Sequence, residues 1–78
     1  MADGIKVIWD TVQFRGLDLN FTARVDGSER RFNIKRYRLP QPAPGSLPAA
    51  VLAFNLDALA PVLRHLARYD GPDVLIID

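Results

Sequence analysis

Residues 18–35 read DLNFTARVDGSERRFNIK, two alternating segments on either side of an Asp-Gly pair. Successive side chains of a strand point to opposite faces. Leu19, Phe21, Ala23 and Val25 therefore share one face, and Asn20, Thr22 and Arg24 share the other. Asp26-Gly27 is the strongest short signal for a two-residue hairpin, because both central residues of a type I′ turn need positive φ. A turn there sets Val25 against Ser28, and so Phe21 against Phe32 and Leu19 against Ile34 on an apolar face. Arg24 then meets Glu29 and Asp18 meets Lys35 on a polar face. Matched cross-strand pairs contribute roughly 0.2–1 kcal/mol each. A turn one residue later would oppose Arg24 to Arg31 and Asp26 to Glu29, and that like-charge clash rejects it.

Upstream, Ile5, Val7 and Trp9 alternate with Lys6 and Asp10, and Val12 and Phe14 alternate with Thr11, Gln13 and Arg15. The two runs read as two short strands. Downstream, PQPAPGSLP at 40–48 has four prolines and a glycine, which forbid regular structure and favour an extended connector inside one domain. Ser46 is placed to cap a helix that tolerates Pro48 in its first turn. Val51, Phe54, Leu59, Val62, Leu63 and Leu66 then fall on one side of that helix, with Asp57, Pro61, Arg64, His65 and Arg68 on the other. The helix runs to about Tyr69 and ends at Asp70-Gly71-Pro72. Pro61 predicts either a bend with the proline on the wet side or a restart after Asn55 or Asp57. The closing DVLIID reads as a strand covered on both faces or interior to the sheet.

These elements predict one α+β domain over residues 1–78. It is a small, mostly antiparallel sheet of three to five strands with one helix packed across one face, in the order β-β-β-β-α-β. Helix and sheet each have one apolar side, so each must cover the other. At 78 residues a single core is near the lower limit for independent folding, with about 60% of the chain's surface buried.

Charge sets the functional question. Ten Lys and Arg against nine Asp and Glu give a net +1. Residues 29–38 hold five of those positives and one acid, so the rest of the chain has five positives and eight acids. Glu29 and Lys35 have cross-strand partners in the hairpin register. Arg30, Arg31, Arg36 and Arg38, with Tyr37 beside them, are left as a candidate surface for nucleic acid or an acidic partner: arginines track phosphates while an aromatic stacks on a base. Against that, a charged strand is also how sheets discourage edge-to-edge pairing, and Phe32 is taken by the core.

No catalytic pattern stands out. Cysteine is absent, which excludes disulfides, thiol nucleophiles and thiolate metal sites. Ser28 lies in a turn and Ser46 at a cap, with no G-x-S-x-G around either. His65 lies in the last turns of the helix, where its cation would complement the dipole. The aspartates fall at turns, caps and ends, and neither metal-ligand spacing nor a glycine-rich phosphate loop occurs. No enzyme activity, cofactor or metal is expected. The start MADGIKVIWD has no basic segment leading into an apolar run. The most apolar window, residues 47–63, carries Asn55 and Asp57 and is broken by two prolines, so a membrane span is not expected and a cytoplasmic location is.

FRGLDLNFTARVDG followed by RRFNIKRYRL, a helix containing AFNLDALAPVLRHLAR, and a closing G-x-x-VLI strand together resemble a group of small bacterial proteins known as the domain of unknown function 1488 family. The likeness covers about residues 12–77 and rests on turn and core positions, including the Ala53-Phe54 pair in the helix. It implies the same α+β fold and no activity. The proline-rich linker, Pro61 and the arginines after Asp26-Gly27 depart from the family pattern. The expected role is a protein-interaction or homodimerisation module, with weak, low-specificity nucleic-acid binding through residues 29–38 as the alternative.

Overall fold

Asp26 and Gly27 have φ values of 50° and 88°, the positive angles a type I′ turn requires. They hold the register that the alternation dictates. In this computed structural model, which describes residues 4–68 and the backbone of residues 74–77, β2 (Asp18–Val25) pairs antiparallel with β3 (Ser28–Lys35). Val25 faces Ser28, Phe21 faces Phe32 and Leu19 faces Ile34. Arg24 lies opposite Glu29, and Asp18 lies opposite Lys35. Leu19, Phe21, Ala23, Val25, Phe32 and Ile34 are all buried. At roughly 1.5–3 kcal/mol for each large apolar side chain, this one face supplies much of the hydrophobic driving force.

The two N-terminal strands expected from the sequence are one. β1 (Ile5–Arg15) pairs antiparallel with β2 along its length. Ile8 faces Thr22 and Gln13 faces Asn20, so the four residues 9–12 stand against Phe21 alone. This bulge reconciles two opposite alternations: Val7 and Phe14 both face the core although they differ in parity. Thr11 makes it tolerable. Its hydroxyl accepts the Thr22 backbone N–H at 2.8 Å and donates to the Ile8 carbonyl at 2.6 Å. The side chain thereby takes over hydrogen bonds that the interrupted ladder gives up.

After β3 a short 3₁₀ turn, Arg36–Arg38, sends Leu39 into the core. The linker then runs to α1 (Pro48–Ala67). Ser46 does not cap this helix. Leu47 occupies the cap position without a side-chain bond, while the Ser46 hydroxyl donates to the Ala43 carbonyl at 2.6 Å and closes a turn within the linker. Asn55, expected as a restart point, is instead buried. Its amide donates to the Val51 carbonyl at 2.8 Å and to the Pro40 carbonyl at 2.9 Å, tying the linker to the helix. α1 continues through Pro61, whose ring is exposed; the acceptor it forgoes, the carbonyl four residues back, belongs to the exposed residue Asp57.

The buried side of α1 also differs from the expected stripe. Val51, Leu52, Asn55, Ala60 and Leu63 are buried, with Leu56, Leu59, Leu66 and Ala67 packed beside them. Phe54 and Val62, assigned to that stripe, face outward. The expected helix end at residues 69–72 lies outside the described residues. β4 (Val74–Ile77) pairs in parallel with β3, Arg31 opposite Val74 and Ile34 opposite Ile77. It therefore sits at an edge, not in the interior, of a sheet ordered β1-β2-β3-β4. The class is α+β: three antiparallel strands, with β4 added in parallel beside β3, and one helix across one face, in the order β-β-β-α-β.

Candidate interaction surfaces

The five residues of the basic stretch do not share a surface. Arg30 has the parity of Phe32 and Ile34 and lies on the helix side of the sheet opposite Ala23. It is half-buried, and its Nε is buried without a hydrogen-bond partner among the described residues. Arg31 lies on the opposite, open face, across from Thr22. Arg36 is structural. Its guanidinium carbon stands 3.9 Å above the Phe14 ring centroid, and its Nη1 donates to the Gly16 carbonyl at 3.2 Å. Its backbone N–H donates to the Leu17 carbonyl at 2.7 Å. This cation–π contact and the two hydrogen bonds lock the β1–β2 turn to the end of β3. Only Tyr37 and Arg38 remain together, Arg38 lying 5.8 Å from the Tyr37 ring, with Tyr37 70% exposed.

The open face of the sheet is polar. Lys35 Nζ lies 3.0 Å from Asp18 Oδ1, and Asn33 donates to Asp18 Oδ2 at 3.3 Å. The Lys35 ammonium holds the Asp18 carboxyl below its usual value; partial burial opposes this and Asn33 adds to it. Arg24 and Glu29 approach only to 3.9 Å, both well exposed. The bulge in β1 curls this face into a shallow concavity of about 630 Å³ lined by Asp10, Gln13, Arg15, Asn20, Arg31 and Asn33 among others. Lys6 lies directly opposite Arg24 on the same face, a like-charged pair.

The residues with catalytic side chains are dispersed. His65 is exposed on α1, Ser28 belongs to the hairpin turn and Ser46 to the linker. Among the described residues no three His, Asp or Glu side chains gather closely enough to hold a metal.

The uncovered side of α1 is apolar. Leu47 is 73% exposed, Phe54 59% and Val62 40%, and Ala49, Ala50, Ala53 and Ala58 are exposed around them. Asp57 is the one charged residue between Pro48 and Leu63. Sequence reasoning missed this surface because it turned Phe54 and Val62 inward. The signal was present: Ala50, Phe54, Ala58 and Val62 recur every four residues and so form one ridge.

No protein-family model matches the chain, and neither a curated protein nor a solved structure does. The functional reading therefore rests on these surfaces.

Proposed function

We propose that this chain is a non-enzymatic homodimerisation module, in which the outer side of α1 meets that of a second copy. The observation that carries this reading is the ridge Ala50-Phe54-Ala58-Val62, flanked by Leu47, on a helix whose other side is already packed on the sheet. Large exposed apolar patches mark contact sites. A two-fold contact needs a surface complementary to itself. With two antiparallel helices crossing at Ala58, Phe54 of one copy falls beside Val62 of the other, and the alanine at the crossing allows close approach. Ridges of this four-residue kind interdigitate at about −50°. A cytoplasmic setting and kinship with the domain of unknown function 1488 family belong to the same proposal.

Weak nucleic-acid binding through Arg30, Arg31, Arg36, Tyr37 and Arg38 has less support, because those side chains are divided between two faces of the sheet and a turn. α1 is long and apolar enough, by length and composition, to cross a membrane, but Val51, Leu52 and Leu63 are committed to the core. Sedimentation equilibrium of the full chain tests the proposal. Concentration-dependent self-association that Phe54→Glu weakens, with thermal stability unchanged, supports it. A chain that stays monomeric but floats with phosphatidylcholine vesicles, or shifts only on adding single-stranded RNA in low salt, overturns it.

A further inference from the structure

β1 is the outermost strand of the sheet, so one side of its backbone has no partner strand among the described residues. Such edges invite pairing, and natural proteins guard them with charges and bulges. β1 has both, in Lys6 and in the bulge at residues 9–12. Their placement goes further than protection. From Ile5 to Ile8 the strand keeps a regular register with β2, and Trp9 and Asp10 open the bulge; Lys6 and Ile8 lie beside Arg24, and Asp10 lies at the rim of the open-face concavity. Trp9, of opposite parity, is 46% exposed.

We infer that a second copy of this chain adds to the β1 edge as an antiparallel strand, with Ile8 on the two-fold axis. That alignment sets Lys6 of each copy against Asp10 of the other, Val7 against Trp9, and Ile8 against itself. Antiparallel registers shifted by one residue set Lys6 against Trp9 or Thr11, and a shift by two sets it against Ile8 or Val12. Only the Ile8-centred register pairs both charges and keeps apolar residues opposite one another. It also relieves a strain within the chain. Lys6 faces Arg24 across β1–β2, a like-charged pair that costs stability, and Asp10 of the second copy supplies the missing negative charge. The contact is independent of the outer side of α1; both together would link copies in an alternating series, each interface closing on its own two-fold axis.

The test is a charge swap in the full chain, read by sedimentation velocity, with Phe54 intact and again in the Phe54→Glu background. Lys6→Glu and Asp10→Lys should each weaken the Phe54-independent association by about tenfold, since each replaces two attractive pairs with two repulsive ones. The double variant should restore it. Zero-length carbodiimide coupling of a mixture of ¹⁵N-labelled and unlabelled wild-type chains should join Lys6 of one isotope to Asp10 of the other. Lys6→Glu faces Arg24 within its own chain, so loss of association would not be a consequence of unfolding. Association that ignores the swaps, or a Phe54→Glu variant that remains monomeric at about 1 mM, overturns the β1 contact while leaving the α1 contact to stand or fall on its own measurement.

Discussion

Phe21 and Phe32 stack across the β2–β3 hairpin with ring centroids 5.3 Å apart and planes inclined by 24°. Both rings are buried, and the stack is part of the hydrophobic core. Phe32→Ala should therefore cost about 3–5 kcal/mol, of which roughly 0.5–1.5 kcal/mol is the ring pair itself. Urea unfolding of Phe32→Ala, Phe32→Leu and Phe21→Leu separates the two contributions: Leu keeps most of the volume and loses the stack.

Thr11→Val keeps the shape of the side chain and removes its hydroxyl. Thr22 then loses the acceptor for its N–H, and the bulge loses its bond to the Ile8 carbonyl. The expected cost is about 1–3 kcal/mol, with the Thr22 amide exchanging faster with solvent. Thr11→Ser should retain most of the wild-type stability.

Asn55→Leu leaves the helix former in place but frees the Pro40 carbonyl. The loss should be about 1–3 kcal/mol. Circular dichroism should show helix content preserved below the transition, and proteolysis should find the linker at residues 40–47 more readily cut than in the wild type.

The Asp18 carboxyl is held below its usual 3.8, mainly by the hydrogen bond from Lys35. A folded-state value lower than the unfolded one stabilises the chain above the unfolded value, and that contribution is lost as pH falls through the folded one. Asp18→Asn should accordingly flatten the acid side of the stability curve, where pH falls below the usual carboxylate value, and leave its shape near pH 7 unaltered. Equilibrium denaturation across that range checks the slope.

Gly27 has φ of 88°, and a Cβ there would meet nothing within 4 Å. Gly27→Ala should thus cost only the backbone penalty, about 1–2 kcal/mol. Gly4 is different: its φ is 83° and a Cβ would stand 2.5 Å from Asp26 Oδ1. Asp26 is exposed and its carboxylate can swing aside, so Gly4→Ala should cost about as much as Gly27→Ala, whether or not Asp26→Gly accompanies it. Thermal melts of the three variants and the Gly4→Ala/Asp26→Gly pair decide this.

The hairpin was legible in the sequence because everything that specifies it is local: two alternating segments, one turn and matched charges. The bulge was not, since its support is a hydrogen bond that the Thr11 hydroxyl accepts from the backbone N–H of a residue eleven positions away. A parity change between Trp9 and Val12 signalled an irregularity without saying whether the chain broke or bulged. In α1 the alanines gave the periodicity two near-equivalent readings, and the bulk of Phe54 favoured the wrong one. Arg30 was legible and was misread: it has the parity of Phe32 and Ile34, so the register that buried them also turned it from the open face. The role of Arg36 was hidden, because its ring partner Phe14 and its acceptor Gly16 lie in a different hairpin.

The sheet order β1-β2-β3-β4 follows the order of synthesis. Its first three members need only short closures to find one another, whereas β4 must wait for a helix to cross over. Short-range closure predicts that the N-terminal meander forms first. A meander formed before α1 docks would leave Phe21, Phe32 and Ile34 bare to water, and refolding yield should then fall as protein concentration rises. Pulsed hydrogen exchange should find β2 and β3 amides protected before those of α1.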